Sequence, residues 1–359
     1  MLAFLTQLTI TSSGILLLYL LYRAYEVYHP LSIRLFLVGL SISIFAFFLD
    51  LIARLIGHIT ISVSLFRLYG FLAITAYVFY FAYIEFSLGN TPRLRFYLSV
   101  FIIGIAAVIR MLSSIDIEIE GGFITRSGFY YLVNGIDLAT FFTIFIPIWF
   151  LFELLILSLK QFNLSTKERN KKYLKALSLV ISISVFSTFI VYCLYNLGVI
   201  GVHLKSIVIN SANLIAIIGL IIANYKVPTL TFIASQRTYG IFIFKESGLL
   251  VSHFGNEGLI SKYINFLGGI VSALYIATDK VMNIGDLRLI VLEDKKILTR
   301  VYRDIIITML VDEPVSIHIS VLDSIINELV TMDIPDIITD DITKNINERI
   351  SKYLDPLFP

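Results

Sequence analysis

The apolar positions of this chain fall into two regimes. As far as Lys226 they run in long stretches: Leu2 to Leu21, Ile33 to Ile52, Ile61 to Phe86, Phe96 to Leu112, Tyr131 to Leu157, Leu174 to Leu197 and Leu204 to Asn224. A helix crosses a bilayer with about 20 mostly apolar residues, so the pattern predicts seven spans, and residues 1–228 read as an all-α membrane bundle. The first stretch has no Lys or Arg before it, unlike the basic start of a cleaved leader, and is expected to remain as a span. After a linker at 229–239 the period changes. Gly240 to Lys245 and Leu249 to Phe254 alternate about a Glu246-Ser247-Gly248 turn, which predicts a hairpin. A helix is expected from about Glu257 to Met282, with Ile260, Tyr263, Ile264, Leu267, Ile270, Val271, Leu274 and Ala277 recurring at three and four. Three strands follow, Asp286 to Glu293, Lys296 to Tyr302 and Ile305 to Val311. Pro314 then opens a helix with an Ile317, Val321, Ile325, Leu329 stripe. Asp340 or Asp341 caps a last helix carrying Ile342, Ile346, Ile350 and Leu354. The order ββαβββαα over 240–359 predicts an α+β domain with an antiparallel five-stranded sheet.

Charge separates the same two parts. Residues 1–228 hold 16 Lys+Arg against 9 Asp+Glu, and residues 229–359 hold 12 against 17, so a total of +2 conceals a basic bundle (+7) and an acidic domain (−5). With 57% hydrophobic and 15% charged residues, a soluble enzyme, a nucleic-acid binder and a secreted disulfide scaffold are disfavoured. Cys193, alone of its type, excludes an intrachain disulfide and a Cys-based zinc site. Basic residues concentrate in alternate loops: Arg23 and Arg34; Arg93 and Arg95; then Lys160, Lys167, Arg169, Lys171, Lys172 and Lys175. Such loops face the cytoplasm, which predicts an external N-terminus and a cytoplasmic C-terminal domain. The opposite loops are poorer in bases. In the longest, Ile115, Ile117 and Ile119 alternate with Asp116, Glu118 and Glu120 before Gly121-Gly122, and Phe123 to Thr125 return, a hairpin pattern over the outer ends of the bundle. A plain acidic connector is the alternative.

Ionisable groups inside spans are costly and mark candidate sites. Asp50 and Arg54 lie four apart near the outer end of the second span, a spacing that permits an ion pair. Arg67, Arg110, Asn134, Asp137, Asn196, Asn210 and Asn213 fall at similar depth, so a polar outward-facing cavity is expected with Asp50, Arg54, Arg67, Arg110, Asp137, Asn210 and Asn213 as candidate ligand-binding residues. The alternative is that these groups snorkel or satisfy one another between helices. Glu85 and Glu153 belong to the inner half, placed to meet the basic fifth loop or a cytoplasmic partner. Tyr69, Tyr80 and Tyr83 form a stripe on the third span that reads as packing.

Known membrane chemistries fail one by one. Lys205 and Lys226 lie at the ends of the seventh span, not in its middle, so retinal chemistry is not expected. Tyr83-Ile84-Glu85-Phe86 and Ala223-Asn224-Tyr225-Lys226 lack the acidic-Arg-Tyr and Asn-Pro-x-x-Tyr motifs of animal G-protein-coupled receptors. His29, His58, His203, His253 and His318 form no two-His helical motif, and no phosphate loop or kinase box is present. Neither catalytic residues, a metal site nor a cofactor are expected. The order of spans, the outer loop ending Gly128-Phe129-Tyr130-Tyr131 and the connector Ser165-Thr166-Lys167-Glu168-Arg169 resemble the seven-helix sensor regions of prokaryotic signalling proteins, histidine kinases among them. The hairpin, single long helix and meander ending Ile305-Ile306-Ile307-Thr308-Met309-Leu310 resemble the longin fold, a relative of roadblock and profilin-like domains; PAS domains share the strand order but place several short helices where one is read here. The Gly268-Gly269 pair falls within that helix and is read as close packing on the sheet. The longin resemblance implies a platform for a small GTPase or a homodimer, with a surface centred on Tyr263, Leu249 and Phe254. Receptor, tether or trafficking adaptor, and transporter are the three classes that remain, all in contact with a lipid bilayer and none with nucleic acid.

Overall fold

The computed structural model describes residues 2–28, 31–56, 58–89, 93–120, 123–130, 132–133, 136–165, 168–196, 199, 202–226, 236–255, 267–281, 288–293, 295–332, 340–354 and 357–358. Its first part is built from α1 (Leu2–Tyr28), α2 (Leu31–Leu55), α3 (Ile59–Leu88), α4 (Leu94–Leu112), α5 (Leu138–Leu164), α6 (Glu168–Asn196) and α7 (Val202–Lys226). Five of these contain apolar segments long enough to cross a membrane: Leu31–Leu55, Ile59–Leu88, Leu94–Leu112, Ile144–Leu164 and Asn170–Val191. They mark the chain as a membrane protein. Among the described residues α1 and α7 contribute shorter apolar segments, Leu8–Arg23 and Leu214–Ala223. Helices pack in the order α1, α2, α3, α5, α6, α7 and back to α1, closing a ring, while α4 lies outside against α3 and α5.

Aromatic side chains fill the middle of the ring between α2, α3 and α5. Tyr80 stacks on Phe150 at 5.2 Å and meets Phe36 at 5.3 Å, and Tyr77 meets Phe150 edge-on at 5.7 Å. The Tyr80 hydroxyl is satisfied by Ser43 Oγ at 2.8 Å, as a phenol this buried requires. Gly39 makes the close approach possible, since a Cβ there would lie 2.9 Å from the Tyr80 ring. Tyr80 and Tyr83 are buried packing residues, with Tyr77 the member of the group that the spacing of the stripe did not single out.

Between α4 and α5 the chain forms an antiparallel hairpin, β1 (Ser114–Glu120) and β2 (Phe123–Tyr130), with a bulge at Glu118/Ile119, then the two-residue strands β3 (Leu132–Val133) and β4 (Ile136–Asp137). The return strand is longer than the Phe123 to Thr125 expected. The fifth helix consequently starts seven residues later than its apolar stretch, because Leu132–Val133 and Ile136–Asp137 are spent on β3 and β4. Asp137 belongs to β4, paired with Leu132, not to a helix.

The second part begins before Gly240. β5 (Thr238–Lys245) takes in the last two residues of the expected linker, since Thr238 pairs with Val311 across a bulge before Gly240. β6 (Leu250–Gly255), a helix α8 (Leu267–Thr278) that passes into a π turn over Ile276–Val281, β7 (Leu289–Val291), β8 (Lys296–Tyr302), β9 (Ile305–Val311), α9 (Ser316–Val330) and α10 (Asp340–Leu354) follow. The antiparallel sheet has the order β6-β5-β9-β8-β7. The remainder of the helix expected over Glu257 to Met282, with Tyr263, lies outside the described residues.

Alternation along the strands divides the core into two layers. Phe242, Phe244 and Leu310 face Leu267, while Ile306 meets Val271 and Tyr275, so α8 covers that side. Gly268 allows the approach: a Cβ on it would lie 2.6 Å from the Gly248 carbonyl and 2.8 Å from the Phe244 ring, whereas Gly269 faces open space. Ile241, Ile243, Ile307, Met309 and Val311 face α9 and α10 on the other side. Val321, Leu322, Ile325 and Leu329 of α9 are wholly buried there, each contributing roughly 1.5–3 kcal/mol. This layer continues into Leu17 and Leu21 of α1, Ile33 and Leu37 of α2, and Ile84 and Leu88 of α3. The domain is therefore seated on one end of the bundle through α9.

Candidate functional site

At the hairpin end of the bundle, Asp50 and Arg54 stand one turn apart on α2. The guanidinium donates Nε to Oδ2 at 3.0 Å and Nη2 to Oδ1 at 3.2 Å. Asp50 is only 2% exposed, and a carboxylate so far from water needs a charged, hydrogen-bonded partner. The Arg54 guanidinium also lies over the Phe66 ring, 5.7 Å from its centroid. Phe66 packs with Ala53 and Ala139, and Ile115 at the base of β1 rests on the same group, so the hairpin root closes against the site. Tyr69, three residues after Phe66 on α3, is within electrostatic reach of Asp50, Arg54 and Arg110. Arg110 arrives from the last turn of α4. Three candidate residues from two helices thus converge around a tyrosine from a third.

The other candidates are placed differently. Arg67 is exposed, a hundred degrees around α3 from the buried Ser62, Phe66, Gly70, Ile74 stripe. Asn210 and Asn213 lie on α7 and Asp137 on β4, with side chains outside the described residues.

A second ionic group occupies the domain end. Glu85 of α3, 3% exposed, accepts hydrogen bonds from the Arg93 backbone N–H at 3.0 Å and from Arg95 Nε at 2.9 Å, and Arg95 also reaches Glu153 of α5 at 3.3 Å. Glu85 and Glu153 meet Arg95 in the first turn of α4, where the basic fifth loop or a cytoplasmic partner was expected.

The junction with the domain adjoins this group. Ser316 Oγ at the start of α9 donates to Ser32 Oγ of α2 at 2.8 Å, both buried, and Gln236 Nε2 donates to the Leu88 carbonyl at the end of α3 at 3.2 Å. Two residues into α9, His318 is completely buried. Its Nδ1 accepts the Val315 N–H at 3.1 Å, which leaves the proton on Nε2, 3.1 Å from Thr238 Oγ1 of β5. Burial lowers its pKa from 6.5 to about 3, so the ring is neutral. Neither the acid–arginine group nor His318 was singled out as a site from sequence. A histidine four residues after the Pro314 that opens the helix was the available signal for the latter.

On the expected partner surface, Leu249 is exposed in the β5–β6 turn and Phe254 is half-buried. α10 lies over β6 and α9: Ile346 and Ile350 are buried, Ser252 of β6 bonds Asn347, and Glu328 of α9 accepts Lys352 Nζ at 2.8 Å and the Tyr353 hydroxyl at 2.9 Å. The Lys352 ammonium holds the Glu328 carboxyl below its usual range.

No family model, curated protein or solved structure matches the chain. The functional reading rests on geometry.

Proposed function

We propose that the chain is a seven-span receptor-like protein that senses a ligand at an outward-facing polar site around Asp50, Arg54, Tyr69 and Arg110 and recruits a cytoplasmic partner through a longin-like domain. The observation that carries this reading is the seating of α9 on α1, α2 and α3, with Ser316 bonded to Ser32 in a continuous apolar layer. A shift of α2 that answers the site around Asp50 is felt directly by α9, because packed layers rearrange together instead of deforming smoothly. The strand order β6-β5-β9-β8-β7, covered by α8 on one face, supports the longin-like assignment of the partner platform. A small GTPase is the partner class that this platform implies, with a homodimer as the other occupant.

Capture of cytoplasmic proteins on the full chain, with and without residues 340–359, tests the proposal. Recovery of a small GTPase, or self-association, that rises on truncation is expected. Neither, at concentrations well above micromolar, overturns the recruiting role. Reporters fused after Pro359 and at Met1 are expected to read cytoplasmic and external; the opposite pair overturns the orientation. A tether without sensing is the second reading, favoured by α10 lying over part of the expected surface. It tolerates Asp50→Asn with partner recovery unchanged, whereas a receptor does not.

A further inference from the structure

α10 lies in a groove between α9 and β6. Two of its side chains, Ile346 and Ile350, are fully buried there, four residues apart on one face, and Ile342 and Leu354 extend the same stripe at either end. Two polar groups of the groove meet α10. Ser252 of β6, 3% exposed, donates to Asn347 Oδ1. The Glu328 carboxylate of α9, 14% exposed, accepts from Lys352 Nζ at 2.8 Å and from the Tyr353 hydroxyl at 2.9 Å, with Arg349 Nη1 at 3.7 Å. A carboxylate so little exposed requires a cation, and a buried hydroxyl requires an acceptor. The groove therefore specifies its occupant: an amphipathic helix with two branched apolar side chains four apart, an amide beside the first and a cation two residues past the second.

α10 meets that specification while joined to α9 by a connection, 333–339, that contains Pro335. Asp340 and Asp341 open the helix and Arg349 and Lys352 close it, the order that a helix dipole favours and the one that brings the cations to Glu328. A helix of the same pattern from another chain satisfies the same two buried groups. The other wall of the groove is α9, the helix seated on α1, α2 and α3, so whatever fills the groove bears on the element that meets the bundle.

We propose that the α9–β6 groove is the recruiting surface, that α10 occupies it as a tethered stand-in, and that the partner displaces α10 with an amphipathic helix of the same pattern. This rests on the recruiting role proposed above and names the element the partner presents. A tethered occupant competes at an effective concentration on the order of millimolar, so the groove is hidden until α10 is dislodged. The probe is a labelled peptide of residues 340–359 added to the full chain in detergent. The full-length variant Ile346→Asp/Ile350→Asp, in which α10 no longer docks, is expected to bind it at least about tenfold more tightly than the unaltered chain. A peptide carrying the same two substitutions does not bind, and Glu328→Gln added to the dislodged variant weakens binding several-fold. No binding to the dislodged variant, or equal binding to the unaltered chain, overturns the proposal. Should that variant fail to fold, hydrogen exchange of the unaltered chain decides: α10 exchanging well ahead of α9 supports a detachable occupant, and the two exchanging together overturns it. A partner captured on the chain without residues 340–359 is displaced by the peptide; one that stays bound overturns the shared groove while leaving the recruiting role intact.

Discussion

The hairpin end and the domain end of the bundle each hold a buried carboxylate, and the two are tied down in different ways. Asp50 is answered by Arg54 from its own helix. The two charges neutralise each other within α2, and among the described residues the guanidinium meets α3 through the face of the Phe66 ring. Glu85 is answered by Arg93 and Arg95, and Arg95 goes on to Glu153, so one network spans α3, α4 and α5. The difference teaches where the bundle is able to rearrange. At the hairpin end α2 carries its charge with it when it shifts, whereas at the domain end any separation of α3, α4 and α5 breaks ion pairs.

Substitution of Asp50 is the strongest way to break this contrast. Asp50→Ala removes the carboxylate that answers the half-buried Arg54 guanidinium and is expected to cost about 3 kcal/mol, read as a loss of thermal stability in detergent. Asp50→Asn/Arg54→Gln restores most of it if the pair is self-contained. A double variant as unstable as the single one shows instead that α2 is tied to other helices.

Acid acts next, and at the domain end. The His318 pKa is held near 3 against an ordinary 6.5, so the unfolded chain takes up the proton first. Stability is full above about pH 6.5 and falls as pH drops towards 3, by about 1.4 kcal/mol per unit. Between pH 6.5 and 4.5 a loss of about 2–3 kcal/mol is expected, with hydrogen exchange faster in α9 and β5. His318→Gln flattens the slope; an unchanged slope removes His318 as its cause. Below about pH 4.5 the Glu328 contacts to α10 weaken too, since a carboxyl whose pKa is lowered on folding contributes stability above its unfolded value of 4.5 and loses it as pH falls through the folded one.

Glu85→Ala is expected to cost about 2 kcal/mol, less than Asp50→Ala because Arg95 is 37% exposed and retains Glu153. Equal losses would mean that the two ends are not built differently. The smallest effect belongs to Ser32→Ala, about 1 kcal/mol for one buried hydrogen bond, and it sharpens the contrast if it loosens α9 while leaving the Asp50 site unmoved by cysteine crosslinking.

What the sequence revealed follows the range of each interaction. The Asp50–Arg54 pair was legible because four residues on a helix fix its geometry. Strands β8 and β9 were legible to the residue, because alternation and the Arg303-Asp304 turn leave one register; Arg303 takes the positive φ of 53° that this turn demands. The exposed position of Arg67 was not legible, because depth along a span says nothing of which face turns inward. The Glu85–Arg95–Glu153 group joins residues 10 and 58 apart, and no local period encodes such a meeting. Asp137 was assigned to a helix because the apolar stretch from Tyr131 gives no sign of where hairpin ends and helix begins. The seating of α9 was hidden for a related reason: its apolar stripe predicts burial, but a stripe does not name the surface that covers it.

The rings of Tyr77, Tyr80 and Phe150 have a consequence for the kind of message that can pass between the two ends. A centre packed with aromatic faces is a poor pipe and a good strut. Tightly packed rings do not deform smoothly, so a tilt applied at one end would arrive at the other as displacement.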